Sequence, residues 1–228
     1  MPSSSQTGPI NSGSLFWPAS NTASQPPGSG TLKRLESTPK EHAERMQKLE
    51  GAARTILECI GEDPDREGLL NTPKRYAEAM LFLSEGYGAN VPDILTGATF
   101  KEKYDNLVIV KDIDIFSLCE HHMLPFTGKV HIGYIPREHV IGLSKLTRLA
   151  EVFSRRLQIQ ERLTSQIATA ISDLLGAYGV GVVMECSHLC MEMRGVQKVG
   201  SVTTTICMLG SMRSDAAREE FLTLLNRR

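Results

Sequence analysis

The 228-residue sequence lacks a long apolar run and an excess of charge of either sign. No stretch approaches the roughly eighteen apolar residues that a membrane-spanning helix needs, so we expect no membrane span. The 25 basic and 26 acidic residues give a formal net charge of −1, so no overall field favours nucleic acid or a membrane surface. The N-terminus has no basic segment followed by an apolar one, so we expect no signal peptide and a cytoplasmic location.

Several common frameworks are also missing. The five cysteines are odd in number and unevenly spaced, which argues against a disulfide framework and favours thiols that serve as metal ligands in a reducing compartment. The pattern G-x-x-x-x-G-K-[ST] does not occur, which excludes a P-loop as the phosphate cradle. The P-C-x-x-C motif of zinc deaminases is absent as well, which argues against that class of enzyme.

Charge is also missing from the start of the chain. Residues 1–31 contain no charged side chain, and seventeen of them are Ser, Pro or Gly. Such a segment cannot bury enough apolar surface to offset its ordering entropy. We therefore predict a disordered tail over 1–40 and one catalytic domain over 41–228, with N-terminal helices over about 41–88 and a core over about 105–228.

Apolar periodicity predicts the N-terminal helices. A helical pattern runs over 41–60 and stops at Gly61. A second helix is predicted to start with Thr72 as its N-cap and Pro73 at its first position. Its expected buried side consists of Tyr76, Met80 and Leu83. Residues 89–105 have no clear pattern and are predicted to be irregular.

The core has the pattern of an α+β protein. We predict strands over 107–118 and 128–135, helices over 145–157 and 160–174, strands over 180–191 and 201–209, and a terminal helix over 216–225. The order after the N-terminal helices is therefore β-β-α-α-β-β. Two hairpins that flank two helices imply an antiparallel sheet rather than a doubly wound parallel one.

A first cluster of metal-binding residue types follows the first predicted core strand. Cys119, Glu120, His121 and His122 are consecutive in the sequence. Zinc takes Cys sulfur and His nitrogen in a tetrahedron, so Cys119 with one or both histidines forms a natural half-site.

A second cluster, consisting of Cys186, His188 and Cys190, ends the apolar run that begins at Val180. In an extended segment the two cysteines would be ~13 Å apart, whereas two sulfurs on one zinc ion are at most ~4.6 Å apart. Only one of the two cysteines can then bind, together with Cys119 and one of the tandem histidines. Three protein ligands leave a fourth position open, which is typical of a catalytic zinc site.

Cations are predicted at the start of the first core helix. Ser144 is expected to be its N-cap, and Lys145 and Arg148 share one face of its first turn. Helix N-termini disfavour cations, so a bound polyanion is one explanation and two solvated side chains are the other. Glu161 either satisfies the dipole of the next helix or binds a planar ring such as guanine.

Several long motifs resemble GTP cyclohydrolase I of the eukaryotic type. They are Cys119-Glu120-His121-His122, the segment Ile141 to Arg148, the segment Gln158 to Thr164, and His188-Leu189-Cys190 with Arg194-Gly195. The likeness covers about residues 41–228. Three residues depart from the expected family pattern, namely Cys186, Glu192 and Gly200.

The resemblance implies the tunnelling fold and a homo-oligomer, a decamer of two stacked pentamers whose sites are shared between subunits. It implies Zn²⁺ on Cys119, His122 and Cys190, and proton transfer by His121 and His188. It further implies that Gln160 and Glu161 bind the guanine edge and that the triphosphate is bound by Ser144, Lys145, Arg148 and Arg194, with Arg75 as a further phosphate contact. A feedback-regulatory protein is a further partner that the resemblance leaves open.

The activity implied is zinc-dependent hydrolytic opening of the imidazole ring of GTP, with release of formate and formation of 7,8-dihydroneopterin triphosphate, the first step of tetrahydrobiopterin- or folate-type pterin biosynthesis. Two alternatives stand beside it. Another tunnelling-fold pterin or deazapurine enzyme would share the element order but would not need Ser144, Lys145 and Arg148. A non-catalytic zinc-binding relative would not need His121 and His188.

Overall fold

The computed structural model describes residues 30–227 and begins with a helical part. Its elements are α1 (Gly30–Leu35), α2 (Pro39–Cys59), α3 (Thr72–Leu83), a 3-10 turn (Glu85–Gly88) and α4 (Val91–Leu95). Most of the predicted tail therefore lies outside the described residues. The helical part starts before residue 41, because Thr38 and Glu41 form a capping box at the start of α2.

The core follows in the predicted β-β-α-α-β-β order, with short additional elements between the long ones. It consists of β1 (Thr99–Lys101), β2 (Val108–Cys119), β3 (Pro125–Ile135), β4 (His139–Ile141), α5 (Leu143–Ser154), β5 (Leu157–Gln158), α6 (Gln160–Leu175), β6 (Gly179–His188), α7 (Leu189–Glu192), β7 (Thr203–Gly210), a 3-10 turn (Ser211–Arg213) and α8 (Asp215–Leu225). The α+β prediction is confirmed.

The main sheet has the strand order β5-β2-β3-β6-β7. All of its pairs are antiparallel except β2 with the two-residue β5, which is parallel and was not predicted. The helices α5 and α6 cover one face, where Leu146, Phe153, Leu163 and Ile167 are fully or almost fully buried. On the other face α8 contributes Phe221 to a smaller cluster with Val183 and Met212. No helix within residues 30–227 is long and apolar enough to cross a membrane.

Four local predictions were wrong. Residues 89–105 contain α4 and β1, and β1 pairs with β4 in a separate two-stranded sheet. The helix α3 buries Ala77 and Leu81, whereas Tyr76 is 40% exposed. Its N-cap position is Asn71 rather than Thr72, and the N-cap position of α5 is Gly142 rather than Ser144. Both helices thus begin one or two residues earlier than predicted.

Candidate metal centre and active site

The connection between β2 and β3 is a tight turn that holds the first cluster. The Cys119 amide donates to the Leu124 carbonyl at 2.9 Å, and the Met123 amide donates to the Cys119 carbonyl at 2.8 Å. Met123 has a positive φ of 53°, which closes the turn. Cys119 is buried at the end of β2, whereas His121 and His122 are exposed on the turn.

The second cluster reaches the same end of the sheet through β6. Phe126 of β3 pairs with His188 of β6, so the ends of β2 and β6 flank the start of β3. After His188 the chain leaves the strand and enters α7, which contains Cys190. Because of this bend, the segment from Cys186 to Cys190 is not fully extended, and Cys190 lies beside Cys119.

Cys119, His122 and Cys190 form a group whose ligand atoms all lie within 4.8 Å of one another. Two sulfurs and one imidazole nitrogen at this separation fit a tetrahedral zinc ion with one open position. Burial and the neighbouring Cys119 thiol raise the pKa of Cys190. A divalent cation between the two thiols would reverse that effect, because it favours the thiolate form of both.

Cys186 stays outside this group. It is 1% exposed within β6, where it pairs with Thr203 of β7. Burial raises its pKa to about 12, so the thiol is protonated at neutral pH. The alternative between Cys186 and Cys190, which spacing left open, is therefore decided in favour of Cys190 as the cysteine next to Cys119.

The tandem histidines both lie near Cys119. Their Nδ1 atoms are 3.9 Å (His121) and 3.7 Å (His122) from the Cys119 sulfur. The other ring nitrogen of His121 lies 3.9 Å from a carboxylate oxygen of Glu120, which is itself paired with Arg162. With 64% of its side chain exposed, His121 is open to a substrate at the turn.

His188 is the last residue of β6 and lies two residues before Cys190. Its Nε2 atom is 2.9 Å from the side-chain oxygen of Gln160, and its ring stacks on Phe126 with centroids 4.6 Å apart and planes inclined by 13°. Burial lowers the pKa of His188, and the charge of Glu161 opposes that shift. The imidazole is therefore favoured in its neutral form. Glu161 is exposed in the first turn of α6.

The loop after Cys190 carries a cation to the cluster. A guanidinium nitrogen of Arg194 donates to His122 Nε2 at 2.9 Å. Two of the residues that depart from the family pattern are explained here, because the Glu192 carboxylate accepts from the Ser187 hydroxyl and from the Gly200 amide. Gly200 has a positive φ of 77°, which glycine adopts without strain.

The remaining predicted phosphate contacts do not join this cluster. Ser144 and Lys145 lie in the first turn of α5. The other end of this helix lies near Ser117, because the Ser117 hydroxyl donates to the Arg156 carbonyl. Twelve residues of helix span ~18 Å, so the start of α5 lies toward the opposite end of the sheet. Within residues 30–227, neither Lys145 nor Arg148 forms an ion pair. Arg75 is exposed on α3, which packs mainly on α2.

Two residues next to the predicted site were not predicted to act there. Arg162 binds the Glu120 carboxylate and also donates to the Gln158 side chain at 3.0 Å. Phe126 supplies the stacking surface for His188. Glu120 and Arg162 lie inside the motifs that carry the resemblance, so their opposite charges could have been used to predict an ion pair between them. Phe126 gave none, because its partner is set by the β3–β6 register.

Comparison with known proteins agrees with these motifs. The sequence profile described as GTP cyclohydrolase I matches residues 49–226. GTP cyclohydrolase 1 of Neurospora crassa is 62% identical over 200 residues, which cover 87% of this chain and 64% of that protein. GTP cyclohydrolase 1 of Saccharomyces cerevisiae is 60% identical over 203 residues, 89% of this chain and 84% of that protein. The human GTP cyclohydrolase 1 is 51% identical over 209 residues, 91% of this chain and 84% of that protein. The chain therefore belongs to the GTP cyclohydrolase I family.

Proposed function

We propose that this protein hydrolytically opens the imidazole ring of GTP, releases formate and forms 7,8-dihydroneopterin triphosphate. The observation that carries the proposal is the group of Cys119, His122 and Cys190 with two further histidines, His121 and His188, near it. A metal site alone would fit a binding protein. Two additional imidazoles, one exposed and one held in place, are what proton transfers at two positions of a substrate need.

The three clustered residues are the proposed zinc ligands. Bound zinc would supply Lewis acidity and make water a competent nucleophile near neutral pH. Arg194, which donates to His122, would place positive charge beside the site for a phosphate oxygen. Since ligand thiols must stay reduced, a cytoplasmic location is part of the same proposal, and the five cysteines are all free.

Proton transfer is assigned to the two other histidines. His121 is exposed on the turn and sits next to the Glu120 carboxylate, so it can protonate the ring nitrogen of guanine as the bond to carbon 8 opens. His188 is assigned to the ribose, where the sugar must open and reclose on the pyrimidine. Glu161, exposed near His188, is assigned to the guanine edge, where a carboxylate accepts two ring donors.

The triphosphate is assigned to Ser144, Lys145, Arg148 and Arg194, with Arg75 as a further contact. Ser144 and Lys145 lie in the first turn of a helix, where free amides and the dipole favour an anion. The start of α5 and the cysteine cluster lie toward opposite ends of one sheet. A second copy of the chain would therefore supply Lys145 and Arg148, which fits a ring of subunits and the proposed decamer of two stacked pentamers. A regulatory protein partner stays a prediction.

Incubation with GTP tests the proposal. We expect release of formate and, after oxidation, the fluorescence of a neopterin, both abolished when zinc is removed and restored when it is returned. Consumption of GTP without formate would contradict ring opening and favour another pterin or deazapurine enzyme. Zinc and GTP binding without any turnover would indicate the non-catalytic alternative.

A further inference from the structure

Gln160, the first residue of α6, is buried with 2% of its surface exposed. Its side-chain nitrogen lies 3.0 Å from the Met184 carbonyl, 2.8 Å from the Thr203 carbonyl and 3.1 Å from the Thr205 hydroxyl. Carbonyl oxygens can only accept hydrogen bonds. The contacts to β6 and β7 therefore determine which end of the amide is nitrogen, an assignment that atom positions alone would leave ambiguous.

The threonine hydroxyls agree with this orientation. Thr164 donates to the Gln160 backbone carbonyl at 2.8 Å, so its single hydrogen is used. The 2.6 Å contact between the Thr164 and Thr205 hydroxyls must then have Thr205 as its donor. The Thr205 oxygen then faces the Gln160 amide nitrogen at 3.1 Å as an acceptor, beside the two carbonyls that are closer to that nitrogen.

The orientation of the amide fixes the state of His188. The Gln160 side-chain oxygen faces His188 Nε2 at 2.9 Å, and an amide oxygen only accepts. The hydrogen of the neutral imidazole must therefore be on Nε2. Phe126, fully buried, stacks on the ring and holds its plane. Nδ1 is then the ring nitrogen with a free lone pair.

We propose that Gln160 is a positioning residue which holds His188 in the Nε2–H tautomer and leaves Nδ1 to exchange the proton with the substrate. This inference rests on the proposed function, in which His188 acts at the ribose. It assigns Gln160 a role different from the guanine contact that the resemblance implies. Both hydrogens of its amide already have acceptors in the protein, and its oxygen has a donor. Reading of the guanine edge is then left to Glu161.

The tautomer can be tested in the unmodified protein by ¹⁵N solid-state NMR with labelled histidine. The His188 signals are assigned by their loss in His188→Ala, which separates them from those of the other five histidines. We expect a protonated Nε2 and an unprotonated Nδ1. Signals of the opposite tautomer would overturn the inference without any reference to activity.

Kinetics of Gln160→Met, His188→Ala and the double variant test the role. We expect Gln160→Met to lower kcat by a factor on the order of 10², because a small misplacement of a reacting group costs about that much. KM for GTP and the zinc content should stay near the wild-type values. In the His188→Ala background, Gln160→Met should have no further effect, because it acts through His188. An equal loss in both backgrounds would contradict the inference.

Substrate discrimination separates the two roles of Gln160. ITP lacks the 2-amino group of guanine, so a residue that reads this edge contributes to the preference for GTP over ITP. We expect Gln160→Met to keep that preference and Glu161→Gln to reduce it. If Gln160→Met reduced the preference for GTP over ITP, Gln160 would instead contact the guanine edge.

Two further variants serve as controls for the role of Gln160. Tyr134→Phe removes another buried hydrogen-bonding group, whose oxygen accepts from the Ile141 amide at the far end of β3, and should leave kcat unchanged. His188→Ala alone tests the proposed function. If that variant keeps wild-type turnover, the assigned role of His188 is wrong, whereas loss in His188→Ala with full turnover in Gln160→Met contradicts only the present inference.

Discussion

The two histidines of the β2–β3 turn are neighbours in sequence but have different surroundings. His122 belongs to the group of three ligand atoms, whereas His121 faces Glu120. We expect His122→Ala to lose zinc. His121→Ala should keep zinc and lose kcat by a factor of about 10² to 10⁴, the usual contribution of a positioned acid. Metal analysis beside steady-state kinetics checks this, and the reverse pattern of zinc content would exchange the two roles.

The three cysteines near the site provide a matched series. Cys119→Ser and Cys190→Ser should lose zinc and activity together, because both sulfurs belong to the group of ligand atoms. Cys186→Ser is the control, since its thiol is buried in β6 and stays protonated. It should keep one zinc per chain. If Cys186→Ser folded but contained no zinc, Cys186 would be a zinc ligand and the assignment of Cys190 would be wrong.

At the scale of the elements, the site depends on the close approach of β3 and β6. A Cβ atom added to Gly128 would overlap the Glu185 carbonyl oxygen and lie 2.7 Å from the Cys186 Cα atom. Backbone atoms cannot move aside as a flexible side chain can. We expect Gly128→Ala to lower the free energy of unfolding by ~3 kcal/mol or more and to disturb the Phe126–His188 pair.

Gly51 is the matched control for that substitution. It lies within α2, and an added Cβ would meet nothing within 4 Å. Gly51→Ala should raise the free energy of unfolding by up to ~1 kcal/mol through helix propensity. Chemical denaturation of both variants decides the matter. Equal stabilities of Gly128→Ala and the wild type would show that β3 and β6 are less tightly paired than described.

The long elements of the core could be predicted from sequence, because each buries an apolar face with a clear period. The short ones could not. β1, β4 and β5 have two or three residues each, and their pairing depends on distant parts of the chain. The starts of α3 and α5 were missed by one or two residues. Asn71 makes no side-chain capping bond and Gly142 has no side chain to make one, so no capping motif marks either start.

The candidate site, like the fold, could be predicted only in part from the sequence. Residue types and spacing indicated Cys119, one of the tandem histidines and one of Cys186 and Cys190. The resemblance then selected His122 and Cys190. The role of Gln160 could not be read from the sequence, because its amide is oriented by backbone carbonyls of β6 and β7 that are more than twenty residues away. The same holds for the bend after His188, which brings Cys190 to Cys119.

At the scale of the whole molecule, the cysteine cluster and the cations of α5 lie toward opposite ends of the main sheet of one chain. We expect each of two variants on its own to have reduced activity with GTP. Cys119→Ser should lack zinc, and Arg148→Ala should have a raised KM for GTP. When the two variants are mixed, dissociated and reassembled, the mixture should regain activity. About one quarter of the sites would then combine an intact metal cluster from one subunit with an intact Arg148 from another.

The control for this experiment is a mixture of two variants damaged in the same half, Cys119→Ser with Cys190→Ser. No site in that mixture can be intact, so we expect no recovery. Failure of Cys119→Ser with Arg148→Ala to recover activity, although mass analysis shows mixed assemblies, would mean that each chain builds its own complete site.

The separation of α5 from the cysteine cluster also has a consequence for inheritance. In a diploid cell that carries two different defective alleles, one altered near Cys119 and the other near Lys145, mixed assemblies would contain some intact sites. Such a cell would show a milder phenotype than one with two copies of either allele. Whether two recessive lesions compensate each other would thus depend on which end of the sheet each of them damages.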